Sequence, residues 1–263
     1  MSLVLFILAL SSGFCSGLLG IGGAVLLIPL LVIVPPLCGV GELGMGAVSG
    51  ISMLQVLSAA IAAGASHWRS GFMHGRTVLL IGVPMAVFTL LGAAASSLIA
   101  DTALLLFFGL ILLLSLCLLH IERESERSHE DYGIRHSGIG HGLTGAAVGL
   151  CAGLVGAGGG FLLLPAMIGI LKIPTRIAVG SSLGIILLSA LFGSIGKIAT
   201  LQVEWSYLIP VIAGSIPASI IGSRISHKLK PRMVERLLFA LTLAVTLATW
   251  IKIALLMLPS VSI

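Results

Sequence analysis

Cys15-Ser16-Gly17-Leu18-Leu19-Gly20-Ile21-Gly22-Gly23, trailed by Pro29, returns 136 residues later as Cys151-Ala152-Gly153-Leu154-Val155-Gly156-Ala157-Gly158-Gly159, trailed by Pro165. Each copy lies between apolar runs, so each puts flexible residues where a membrane helix would otherwise continue. Matched interruptions in corresponding positions of two halves point to a transporter built on discontinuous helices.

Composition fixes the solvent. With 58% hydrophobic residues, 9% charged residues and a mean hydropathy of +1.21, the chain cannot cover a water-soluble surface. It reads as an all-α, polytopic membrane protein whose direct surroundings are the lipid bilayer. The formal charge of +5 then reports topology, and no nucleic-acid partner is expected. The first 68 residues carry no Lys or Arg, so the apolar start at Leu3–Leu10 lacks the basic region of a secretory signal. Phe14 before Cys15 spoils a lipoprotein-type cleavage site, and the N-terminus is expected to be retained. The four cysteines show no metal-ligand spacing and read as small packing residues.

Apolar segments run Leu3–Leu19, Ala24–Val34, Met45–Gly64, Thr77–Ala100, Thr102–Ile121, Gly138–Val155, Phe161–Leu171, Ile177–Ile198, Tyr207–Ile225 and Val234–Leu258. The polar stretch Glu122–His136 holds five of the nine carboxylates and three arginines. It divides the chain into a first membrane repeat (residues 1–121), a charged cytoplasmic linker (122–137) and a second membrane repeat (138–263).

The segments after the glycines, Ala24–Val34 and Phe161–Leu171, span about 16 Å as helix against a hydrocarbon core of about 30 Å. Neither can cross alone, so each glycine-broken pair is either one long interrupted crossing or a re-entrant hairpin. Charge bias separates the two. With one re-entrant pair and three full transmembrane helices per half, Arg69, Arg76, Arg123, Arg127, Arg135, Lys172, Arg176, Arg224, Lys228, Lys230, Arg232 and Arg236 lie on one side, which is twelve of the fourteen basic residues. Lys197 and Lys252 alone fall on the other. If each pair crosses once, only six of the fourteen share a side. The expected architecture is therefore two inverted repeats with both chain ends outside.

Inverted broken helices bring their breaks together near the bilayer midplane, where a substrate binds. Unpaired N–H groups at Gly20, Gly22 and Gly23, and at Gly156, Gly158 and Gly159, begin short helices whose positive ends favour an anion. Ser49, Ser52 and Gln55 follow the first break at helical spacing, and Ser181, Ser182 and Ser189 follow the second. Neutral donors of this kind hold an oxyanion without a buried cation. Close packing explains the glycines less well than substrate binding does, given their clustering and recurrence; for any single serine, an interhelical hydrogen bond is as good a reading. A nucleotide loop is excluded by the missing Lys-Ser/Thr pair and strand. No serine has a buried histidine partner, so an enzyme is not expected, nor a metal or other cofactor.

These residues resemble the sulfite exporter TauE/SafE family of membrane permeases. The resemblance rests on the paired G-L-(L/V)-G-x-G-G segments at Gly17–Gly23 and Gly153–Gly159 with their prolines, on Pro-Thr-Arg-Ile-Ala-Val-Gly-Ser-Ser from Pro174 to Ser182, and on Gly222-Ser223-Arg224 entering a basic turn. It implies transport of a small anion such as sulfite, sulfoacetate or a related organosulfonate across the bacterial inner membrane. Gly-Ala-Val-Ser-Gly-Ile-Ser at Gly46–Ser52 departs from its counterpart in the second repeat, so the two half-sites need not be alike. A non-sulfur organic anion or a channel is the alternative. Direction, ion coupling and oligomeric state, a homo-oligomer included, stay open, as do substrate contacts by Cys15, Cys151, Arg176 or Lys197. For Lys197 and Arg176, snorkelling to the interface is the reading preferred over reaching into a cavity.

Overall fold

A computed structural model describes residues 1–68, 74–125, 138–226, 229 and 231–257. Expectations placed on Arg69, on linker residues 126–137 (Arg127 and Arg135 among them), and on Lys228 and Lys230 lie outside the described residues, as does the side chain of Arg176. The helices are α1 (Ser2–Leu19), α2 (Ala24–Leu37), α3 (Met45–Trp68), α4 (Gly75–Ala95), α5 (Asp101–Ser125), α6 (Gly138–Val155), α7 (Gly160–Pro165), α8 (Thr175–Ala199), α9 (Trp205–Ser226) and α10 (Pro231–Met257). Short helical turns follow α4 at Ser96–Leu98 and α7 at Ala166–Ile170. No strand occurs among the described residues. α5 runs past Ile121 to Ser125, into the first residues of the polar linker.

Eight described helices are long and apolar enough to cross a membrane, so this is a multi-pass membrane protein. α1 and α6, expected as arms of hairpins, are candidate spans in their own right at 18 residues each. α2 and α7 are the short elements. α2 has 14 residues, about 21 Å of helix, and contains Pro29, Pro35 and Pro36. α7 has six and loosens into a π-helical turn after Pro165. Leu79, Val83, Val87 and Leu91 on α4, and Leu243, Leu247, Ile251 and Leu255 on α10, are open to the outside of the bundle, where lipid replaces water.

Packing between the halves is reciprocal. α1 lies along α9, and α6 lies along α4, so the first helix of each half packs on the fourth of the other. A Cβ on Gly13 or Gly17 would strike the backbone of Ser215 or Ser219; one on Gly149 or Gly153 would strike that of Met85 or Thr89. The facing glycines repeat the arrangement, with Gly222 against the Phe14 carbonyl and Gly92 against that of Leu150. Gly13 relates to Gly149, and Phe14 to Leu150, by the same shift that relates Cys15 to Cys151. One interface has thus been built twice, from small residues one turn apart that let backbones touch where lipid offers no hydrophobic drive for association.

Contact order gives helix direction. Along both glycine seams residue numbers rise together, so α1 and α9 are parallel, as are α4 and α6. Gly50 of α3 meets Gln202 just beyond the end of α8, whereas Gly193 meets Met53, so α3 and α8 are antiparallel.

Filling a seam is the direct test. Gly153→Val is expected to cost about 3 kcal/mol by overpacking against Thr89 and Ala93, read as a lowered thermal midpoint in detergent. Gly75→Ala, which meets nothing within 4 Å, should stay within about 0.5 kcal/mol of wild type.

Candidate functional site

The two breaks have one backbone conformation. Gly20, Gly22 and Gly23 have φ of 68°, 82° and 73°, and Gly156, Gly158 and Gly159 have 78°, 63° and 80°. These left-handed values are open to glycine at little cost and strained for other residues, which is why the same three positions recur in both copies. After each break the chain folds back on the helix it has left. Gly23 lies against Ser12 and Ser16, and Gly159 against the matching Val148 and Ala152.

The breaks meet each other. A Cβ on Gly160 would overlap the Ile21 carbonyl, and Gly22 and Gly158 both face the side chain of Val56, at 3.0 Å in the case of Gly22. α3 therefore runs past both breaks, with Ser49 beside Gly156 and Gln55 beside Gly23. α8 closes the first break from the far side. Ser182 donates from Oγ to the Gly20 carbonyl at 3.2 Å. Ser181 is bound elsewhere, accepting the N–H of His74 at the start of α4 at 3.2 Å.

Ser49, Ser52, Gln55, Ser181 and Ser182 are all fully buried. Their satisfaction differs sharply. Ser49 returns its proton to the preceding turn at Gly46, and Ser182 shares its single proton between the Val179 and Gly20 carbonyls. Ser52 Oγ, both polar atoms of Gln55, and Ser16 Oγ have no hydrogen-bond partner. Gln55 Nε2 lies 3.0 Å, and Ser16 Cβ 2.9 Å, from the Cβ position of Gly23. Ser16 and Gln55 thus converge on the residue that begins α2, with Ser52 one turn from Gln55 on the same helix. The N–H groups of Gly22 and Gly23 make no backbone hydrogen bond among the described residues. Orphaned donors at a helix N-terminus, with the positive end of the helix behind them, form an arrangement that an anion completes.

Around the second break the chemistry is different. Lys197, expected to snorkel to the interface, is fully buried, with Nζ 2.8 Å from Ser49 Oγ, 2.7 Å from Ser96 Oγ and 2.9 Å from Gln202 Oε1. Hydropathy placed Lys197 at the end of a span. The signal overlooked was Gly193 and Gly196 before it, which let α4 approach at Thr89 and Ala93 and roof the side chain over. Ser16, Ser96 and Gln202 were not singled out from the sequence; each acquires its role only through a tertiary neighbour. Cys15 and Cys151 are half-buried free thiols beside the breaks.

The family model described as sulfite exporter TauE/SafE matches residues 5–249. A probable membrane transporter protein of Xylella fastidiosa (strain Temecula1) is 30% identical over 217 residues, covering 80% of this chain and 79% of that protein. The probable membrane transporter protein YunE of Bacillus subtilis (strain 168) is 25% identical over 228 residues, covering 81% and 84%. A probable membrane transporter protein of Methanocaldococcus jannaschii is 26% identical over 223 residues, covering 83% and 79%. No solved structure matches the chain.

Buried polar groups without partners weaken a folded protein. Gln55→Met, which removes two orphaned atoms at nearly constant volume, is expected to stabilise the ligand-free protein by about 1 kcal/mol, measured as a raised unfolding midpoint. An unchanged or lowered midpoint would mean that the Gln55 amide is satisfied in the membrane.

Proposed function

The chain belongs to the sulfite exporter TauE/SafE family of membrane transporters, and from that premise we propose that it moves a small anion across the bacterial inner membrane by alternating access. The substrate class is a sulfur oxyanion or organosulfonate, such as sulfite or sulfoacetate. The observation that carries the reading is the group of buried polar atoms without partners, Ser16 Oγ, Ser52 Oγ and the Gln55 amide, gathered at Gly23 where α2 begins.

In this reading the anion rests against Gly20, Gly22 and Gly23. It accepts from the free N–H groups and from Ser52 and Gln55, while Ser182 fixes the Gly20 carbonyl so that the break keeps its shape. Gly156, Gly158 and Gly159 form the opposing wall, and Ser49 joins that wall to α3. Ser181 contributes through the His74 turn. Neutral donors at the first break hold an anion there without the desolvation cost of a buried cation.

The two halves act as inverted repeats. That arrangement is supported by the antiparallel packing of α3 on α8, by the single glycine interface built twice, and by the identical φ pattern of the two breaks. Rigid units are then mixed bundles, α1 with α9 and α4 with α6. Backbone contact along the seams resists sliding, so alternating access rocks one bundle against the other about α3 and α8.

In proteoliposomes the wild-type protein is expected to carry labelled sulfite or sulfoacetate down its gradient, and Gln55→Met to lower that flux at least tenfold while inserting normally. Thermal stabilisation of wild type by sulfur oxyanions over acetate and chloride checks selectivity, since ligand at about one hundred times Kd adds about 2.7 kcal/mol. Undiminished flux through Gln55→Met would remove the first break from the pathway.

A further inference from the structure

Lys197 has no carboxylate among its hydrogen-bond partners within the described residues. Its ammonium lies on the path of α3 past the second break, near the last turn of α6, where the Leu154 carbonyl accepts from Nζ at 3.5 Å. Three closer partners surround it, each presenting an oxygen to the nitrogen. The Ser49 hydroxyl gives its own proton to the Gly46 carbonyl at 2.8 Å, the Ser96 hydroxyl gives its proton to the Ala93 carbonyl at 2.7 Å, and Gln202 presents its amide oxygen. Three oxygens within hydrogen-bond distance of one nitrogen suit the three N–H donors of an ammonium. All the partners are neutral. A buried charge satisfied in hydrogen bonds but not in charge is held at a desolvation cost, and intramembrane cations of this kind mark ligand and ion pathways.

The side from which a ligand would reach it is visible. Gly46, one turn before Ser49, faces both Gln202 and Asp101; its Cβ position is 3.9 Å from Gln202 Oε1 and 4.0 Å from Asp101 Oδ1. Its N–H donates to Asp101 Oδ1 at 3.2 Å. Beyond Asp101 opens a cavity of about 250 Å³, lined among others by Glu42, Gly44, Asp101 and Lys252. Gln202 thus stands next to the residues that separate this cavity from the buried ammonium. Its side chain is held by Nε2 donating to Ser96 Oγ at 3.1 Å and to Thr200 Oγ1 at 3.0 Å.

We propose that Lys197, with Ser49 and Ser96, is a second, cationic anion-binding station of the transport path, at the end of the protein that carries this cavity, and that the Gln202 amide oxygen occupies the place an oxyanion oxygen takes when substrate arrives. This rests on the anion-transport reading and adds a charged residue to its otherwise neutral site. The ligand class is a compact oxyanion, sulfite or a sulfonate head group, whose oxygens accept from the ammonium in place of Gln202. Lys197 has no charged counterpart in the other half. In the register that matches Leu57-Ser58-Ala59 to Leu188-Ser189-Ala190, its equivalent is Ser66. The station therefore has no lysine at the matching position of the first half.

Gln202→Glu is the decisive variant, because it places a permanent carboxylate beside the ammonium. In nanodiscs with sulfite as the probe, Gln202→Glu is expected to raise the midpoint of the sulfite-free protein and to weaken sulfite binding at least tenfold, the built-in carboxylate competing with the ligand. Lys197→Met should weaken sulfite binding similarly, and Lys197→Arg should retain most of it. Sulfite affinity in Gln202→Glu within twofold of wild type overturns the proposal whatever Lys197→Met does, because a merely structural lysine would gain stability from the new ion pair and leave the ligand untouched. Wild type that responds to no sulfur or carboxylate anion overturns the parent reading and this one with it.

Discussion

A backbone N–H or C=O inside hydrocarbon must find its partner within the protein, since the lipid offers none. This chain breaks the helical path near the start of each half, after α1 and after α6, and much of the remaining architecture serves to bury those interruptions. α3 and α8 flank them, Val56 touches both, and α5 reaches in with Ser115, whose hydroxyl donates to the Phe161 carbonyl at 2.8 Å in the first turn of α7. Phe108 of α5 packs edge-on against Phe161, with ring centroids 6.1 Å apart. The breaks are thus enclosed by helices from both halves, which turns a local irregularity into a property of the whole bundle.

Most of the helical layout was legible because apolar length and glycine clusters report it directly. The ten apolar segments correspond in order to α1–α10, and the repeat fixed which glycines would leave the helix. Gly20, Gly22 and Gly23 could be read from their own sequence, because a left-handed backbone leaves a compositional mark. Gly13, Gly17, Gly149 and Gly153 belong to the same stretches yet do something else: they are seams, and only the partner backbone reveals it. The serines divided in the same way. Sequence spacing put Ser49, Ser52 and Gln55 on one face, but which of them would be left without partners depended on Gln202 and Lys197 arriving from elsewhere. Other cross-helix pairs, such as Ser58 with Ser215 and Thr89 with Ser189, likewise require a tertiary register that periodicity does not contain.

Lys197 shows the limit most clearly. Charge counting treated it as an exception on the wrong side of the membrane, and hydropathy as a residue that could reach water. Two glycines and the end of α4 deny it that route. The duplicated scaffold is consequently not electrically symmetric. Among the described residues, the groups gathered at the first break are neutral whereas Lys197 stands beside the second, so the two breaks differ in their electrostatic surroundings.

The exchanged seams also carry a statement about ancestry. A polypeptide of half this length, holding only α1–α5, would own the glycine face of α1 and the glycine face of α4 but neither mate, because each finds its partner on the other half. Such a chain could complete its packing only by embracing a second copy, α1 of one against the fourth helix of the next, in both senses at once.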